Sequence, residues 1–225
     1  MKTSSRARLT KFTLKDFQGP TLFDAIGRAV SEAECLPRKE LFEAWAVARR
    51  VRRRLQGGTV LELGAGHGLL TWMMLLLDPT ATGGVCVDRR RPESAALIER
   101  AMTARWPRLA GLVRWVEAPL QEVVPAPGAQ VVSVHACGPL TDRVLDVALA
   151  ARAPLAVVPC CHSEDRCDTG GLLGWEVDIG LAVDMVRVQR LRAAGYAVHT
   201  TLIPAEITPQ NRLIVATPPR SGGTP

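Results

Sequence analysis

Two short stretches crowd together side chains able to do chemistry. One reads Val134-His135-Ala136-Cys137-Gly138-Pro139-Leu140-Thr141-Asp142, the other Val158-Pro159-Cys160-Cys161-His162, with Cys167 five residues further on. Imidazole titrates near neutrality, so His135 and His162 are each suited to contact an acceptor group and take its proton. The alternative role for either is to cap a helix or orient a loop. Asp142 either joins them directly or fixes loop and helix geometry, and Thr141 reads as an N-cap. The thiols are small enough to be core residues. Cys160, following Pro159, could also act as a nucleophile on a base ring. His135, Cys137, Cys160, Cys161, His162 and Cys167 include enough nitrogen and sulfur donors for tetrahedral zinc. Adjacent cysteines are awkward for a zinc knuckle, however, and no metal ligand is assigned.

A third stretch carries different information. In Val60-Leu61-Glu62-Leu63-Gly64-Ala65-Gly66-His67-Gly68 an apolar run meets three alternating glycines and then a helical pattern. Glycines let the backbone turn tightly and approach a ligand closely. The spacing is GxGxG, not the GxGxxG of dinucleotide binders.

The elements that must position these residues follow from periodicity. Apolar residues recur at three- and four-residue spacing from Thr21 to Leu55 in two helical segments broken at Leu36-Pro37. Thereafter short apolar runs alternate with helices. Strands are expected at 59–63, 84–87, 112–116, 130–134, 155–158, 196–203 and 212–216. Helices are expected at 69–77, 92–106, 142–151 and 177–194. That alternation predicts an α/β fold with a largely parallel sheet covered on both faces. The last two strands are joined by a loop too short for a crossover, so they should form an antiparallel hairpin. The His/Cys stretches and the glycine loop all follow strands and should share the ligand edge of the sheet. The expected organisation is a basic arm and N-terminal helices over 1–58, a ligand-binding domain over 59–217 and a flexible tail over 218–225.

The combination of Glu62 with the GxGxG loop resembles the first motif of class I S-adenosylmethionine-dependent methyltransferases. The resemblance implies a Rossmann-like fold with a mostly parallel seven-stranded sheet and an N-terminal helical cap. It implies S-adenosyl-L-methionine as cofactor, with Asp88 at the end of the second strand accepting from the ribose hydroxyls. Glu117 and Ala118 would lie beside the adenine. Contacts to the cofactor are thus expected from Glu62, Gly64, Ala65, Gly66, Gly68, Asp88, Glu117, Ala118 and His135, and catalytic roles from His135, His162 and Asp142. HxCGxxTD after one strand and CCH after the next is similar to the catalytic domain of tRNA 2′-O-methyltransferases that carry N-terminal zinc fingers, and to a broader group sharing both elements. Residues 60–217 carry that likeness, including Thr208-Pro209-Gln210-Asn211-Arg212. The zinc fingers are absent here.

Charge is uneven. Residues 1–58 hold 13 Lys and Arg against 6 Asp and Glu, whereas the remainder holds 15 Arg, no Lys and 16 acids. Arg49, Arg50, Arg52, Arg53 and Arg54 end the second helix, where they either complement the helix dipole or form a rail for a polyanion such as RNA. With 47% hydrophobic and 22% charged residues a disordered chain is excluded. No apolar run approaches the ~20 residues of a membrane span, and the basic N-terminus lacks the apolar stretch of a secretory signal. A cytoplasmic enzyme acting on RNA is expected. The alternatives are a small-molecule or protein methyltransferase on the same fold, or a non-catalytic RNA-binding module.

Overall fold

A computed structural model describes residues 2–134 and 136–219. Two helices, α1 (Leu22–Ala33) and α2 (Arg38–Val51), precede β1 (Gly58–Leu63), α3 (Leu69–Leu77), β2 (Ala81–Asp88), α4 (Glu93–Arg105) and β3 (Val113–Glu117). Then follow β4 (Gln130–Ser133), α5 (Pro139–Ala150), β5 (Leu155–Val157), α6 (Ile179–Ala193), β6 (Ala197–Leu202) and β7 (Arg212–Thr217). The strands form one sheet in the order β3-β2-β1-β4-β5-β7-β6. Strands β1 to β5 pair in parallel, and β7 runs antiparallel to both β5 and β6. The expected α/β architecture with its terminal hairpin is what forms.

Strand side chains alternate faces, and the core divides accordingly. Val60, Val132, Ala156 and Val215 pack under α1 to α4. Leu61, Val131, Leu155 and Ile214 pack under α5 and α6. Helix α3, Leu-Leu-Thr-Trp-Met-Met-Leu-Leu-Leu, is apolar all round because it is buried all round, and Trp72 is fully enclosed.

The lead segment is docked by two buried side chains, Leu9 and Phe17. Phe17 lies where a Cβ on Gly27 of α1 would collide with its ring. Arg8 bridges Pro37, and Lys11–Asp16 form a 3-10 turn. Thr21 and Asp24 make a reciprocal capping box at the start of α1. Helix α5 starts three residues earlier than periodicity suggests, with Pro139 in its first turn and Gly138 as N-cap. Thr141 is therefore not the cap; its hydroxyl donates to the Ala136 carbonyl. Among the described residues no helix is long and apolar enough to cross a membrane.

Candidate active site

The glycine loop leaves β1 in the middle of the sheet, where the strand order reverses, the switch point at which open α/β sheets bind their ligands. Gly64, Gly66 and Gly68 all take positive φ (66°, 53° and 71°), a conformation costly for any residue with a Cβ. A Cβ on Gly68 would lie 2.9 Å from the Trp115 ring, whereas one on Gly66 would meet nothing within 4 Å. Gly66 thus faces open space and Gly68 sits against β3. The Glu62 carboxylate accepts from the Thr71 amide (3.0 Å) and hydroxyl (2.6 Å), locking the first turn of α3 to β1. His67 Nδ1 accepts from the Leu69 amide, and its Nε2 lies 3.4 Å from Glu40 in the first turn of α2.

Asp88 and Glu117 are paired in register at the ends of β2 and β3. Asp88 Oδ2 accepts from the Gly66 amide (2.9 Å) and Oδ1 from the Arg89 amide (2.7 Å). Its carbonyl accepts from the Ala118 amide (3.0 Å), and Glu117 accepts from the Arg91 amide (2.8 Å). Arg91 also lies over the Trp115 ring. On the other side of β1, at the end of β4, the Ser133 hydroxyl is buried with no partner among the described residues and lies 4.0 Å from the position of a Cβ on Gly64. A buried hydroxyl left unpaired costs roughly 1–3 kcal/mol, so Ser133 is an orphan donor at the mouth of the loop.

The second cluster forms beyond β5. His162 Nε2 lies 2.9 Å from Asp184 Oδ1 on α6, and Arg212 at the start of β7 donates to Asp184 Oδ2 (2.7 Å). Arg187, 1% exposed, grips Asp142 with two hydrogen bonds (3.0 and 2.8 Å), reaches Asp184 at 3.3 Å and donates to the Gly138 carbonyl at 2.9 Å. Burial would lift the Asp184 carboxyl, but hydrogen bonds from His162 and Arg212, with the charge of Arg187, hold it below the usual aspartate range. His162, Asp184 and Arg212 line a cavity of about 330 Å³ with Asp178, Gly180 and Gln210. A histidine backed by a buried, ionised aspartate is oriented and stabilised when it takes a proton, as a general base requires.

Three thiols gather beside this cavity. Cys137 Sγ lies 3.2 Å from Cys160 Sγ and 3.3 Å from Cys161 Sγ. The Cys161 amide donates to Gln210 (3.1 Å). Cys167 stands apart, buried near Arg187.

A third feature is electrostatic. Arg49, Arg50, Arg53 and Arg54 surround a cavity of about 420 Å³ with His199 and Thr201 of β6. Among the described residues none of the four pairs with a carboxylate. Partial burial, then the charges of Arg53 and Arg49, make Arg50 easier to deprotonate than a free arginine. Helix α2 connects this cavity to the glycine loop: from Glu40 to Arg50 is about 15 Å along the axis.

Of the residues expected from sequence, Gly64, Ala65, Gly66, Gly68 and Asp88 come together around one loop, with Glu117 and Ala118 on the adjoining strand end. Glu62 faces the first turn of α3. His162 lines a polar cavity, and Asp142 is one ion pair removed from it, through Arg187. His135 lies outside the described residues. Sequence reading missed Ser133, Asp184 and Arg187, and gave Arg212, part of the 208–212 turn, no role in the site. A signal existed for two of them: Asp184 and Arg187 occupy the buried stripe of α6 with Val183 and Leu191.

Comparison with known proteins accords with this geometry. A family profile described as a methyltransferase domain matches residues 40–167. Among curated proteins none matches. Of solved structures, an O-methyltransferase family protein from Burkholderia thailandensis is similar with TM-score 0.54 and 17% identity, covering 95% of this chain and 64% of that one. The chain therefore spans less than two thirds of that protein. A ribosomal protein L11 methylase from Lactobacillus delbrueckii subsp. bulgaricus gives TM-score 0.50 and 13% identity, covering 81% and 79%. The mitomycin 7-O-methyltransferase MmcR gives 0.52 and 16%, covering 93% and 61%. At these identities the likeness is one of fold. The profile spans more than half of the sequence and reaches from the first turn of α2 through the glycine loop and the clustered cysteines to Cys167, and on that ground the chain belongs to the methyltransferase-domain family.

Proposed function

We propose that this protein is an S-adenosylmethionine-dependent methyltransferase that acts on RNA, with a ribose 2′-hydroxyl as acceptor. The RNA reading rests on one observation: the four-arginine cavity at one end of α2, whose other end touches the glycine loop. Guanidinium groups that make no ion pair among the described residues, at the far end of the helix whose first turn meets the loop, suit backbone phosphates flanking a reacting nucleotide.

The residues present fit the cofactor. Backbone at Gly66 is open to a ligand, Asp88 keeps acceptor capacity beyond its two amide bonds, and Ser133 is an unpaired donor beside Gly64. Asp88 would hold the ribose hydroxyls, and Glu117 and Ala118 would flank the base. When bound, S-adenosylmethionine supplies an electrophilic methyl carbon. A ribose hydroxyl is a weak nucleophile, so the chain's part is to orient it and remove its proton. His162 does so at Nδ1, the ring nitrogen left over from the Nε2 contact with Asp184, while Asp184 stabilises the imidazolium. Asp142 and Arg187 tie the start of α5 to the middle of α6, the helix that carries Asp184.

The test is labelled S-adenosylmethionine incubated with total RNA, protein extract and metabolites. Label in RNA that survives nuclease digestion as 2′-O-methylnucleoside supports the proposal. Label confined to protein or metabolites overturns the RNA reading, and absence of cofactor binding by calorimetry overturns the enzyme reading. A small polar acceptor is the second reading, because the cavity at His162 is of small-ligand size.

A further inference from the structure

Cys137, Cys160 and Cys161 are not used by the mechanism above, yet the fold brings their sulfurs within 4.8 Å of one another. Strands β4 and β5 run in parallel, and an isolated bridge between Cys137 and Cys160 continues the pairing past the strand ends. The Gly138 amide donates to the Cys160 carbonyl (2.9 Å), which fixes the two loops against each other. Cys161 takes positive φ (52°), a left-handed turn that reverses the chain directly after Cys160. That turn is how two adjacent cysteines, which in an extended chain point apart, both reach Cys137. The sequence argument against zinc, adjacency of Cys160 and Cys161, is removed by this backbone geometry.

We propose that these three thiols form a zinc site in which Cys137, Cys160 and Cys161 supply three thiolates and the fourth position is left to water or an exogenous ligand. Soft sulfur donors with no carboxylate in the set select a thiophilic ion over magnesium or calcium. Tetrahedral zinc at about 2.3 Å from sulfur needs sulfurs roughly 3.8 Å apart. Starting from 3.2 and 3.3 Å, the thiols need to spread only slightly. A disulfide would consume two and strand the third. Cys137 and Cys161 are exposed, which leaves room for the fourth ligand. Each thiol that binds gives up its proton to solvent. The ion would tie the Cys137 loop to the segment that carries His162.

The experiment uses the full chain, reduced and stripped of metal, then exposed to zinc alone and freed of excess by gel filtration. One equivalent of zinc should remain, with proton release on binding. Cys137→Ser and Cys161→Ser should each weaken zinc binding by about 100-fold, while Cys35→Ser, on a different part of the surface, should retain it. Cobalt(II) titration of the unmutated chain gives a readout that does not depend on the variants folding. Sulfur-to-cobalt charge-transfer absorption of three-thiolate intensity supports the site. Zinc at background in folded, fully reduced protein overturns it, as does unchanged affinity in Cys137→Ser, cobalt without charge transfer, or a Cys137–Cys160 disulfide in the isolated protein.

Discussion

Asp184 is 2% exposed, yet it keeps its charge because every direction around its carboxylate holds a donor: His162, Arg212 and Arg187. Two expectations follow at this scale. Replacing His162 with Gln should lower turnover by about 100-fold or more while leaving cofactor affinity within a few fold, measured by single-turnover kinetics and calorimetry. The second concerns acid. The Asp184 carboxyl is more acidic folded than its ordinary value of 3.8, so it contributes stability above that pH and loses it as pH falls through the folded value. Melting temperature should drop on acidification below about pH 4, and Asp184→Asn should flatten that slope. A slope unchanged in the variant would remove Asp184 from the account. At the glycine loop, Gly66→Asp should abolish cofactor binding at a stability cost of only about 1–2 kcal/mol from its positive φ, because its Cβ meets nothing but its charge enters the cradle beside Asp88.

At the scale of elements, two carboxylate anchors hold the helices in place. Glu62 joins β1 to α3 through Thr71, and Thr71→Val should cost about 1–3 kcal/mol in chemical denaturation, since it removes the hydroxyl from a buried acceptor. Arg187 joins α6 to α5 through Asp142. Arg187→Met removes both hydrogen bonds to Asp142 and one of the three donors to Asp184, and a loss of about 1–3 kcal/mol is expected. The elements themselves were largely legible. Helix 69–77 and the strands after it follow from continuous apolar runs, because a buried parallel strand must be apolar on both faces. The start of α5 was not legible: Gly138 and Pro139 read as a break, whereas a glycine at positive φ followed by proline also begins a helix. The charged stripe of α6 was passed over because isolated charges within an amphipathic pattern ordinarily face water, and here they face one another.

For the molecule as a whole, charge asymmetry becomes meaningful only once α2 is placed against β6. Arg50 donates to the Leu202 carbonyl and Arg54 contacts His199, contacts that span about 150 residues of chain. The double variant Arg49→Glu, Arg53→Glu should weaken RNA binding and reduce the salt dependence of log K by about one per arginine removed, with cofactor affinity unchanged. Equal salt slopes in both proteins would place RNA elsewhere. Sequence alone determined the alternation of strands and helices, the glycine turn after β1 and the acid at the end of β2, because each depends on near neighbours: side-chain period, backbone freedom and strand length. Which chemistry-bearing residues meet was decided by tertiary structure. His162 acquires Asp184, Cys160 acquires Cys137 and α2 acquires a cavity only through the parallel register of β4 with β5 and the packing of α2 and α6 against the sheet. Those contacts depend on how separate apolar faces fit one another, which no local spacing encodes.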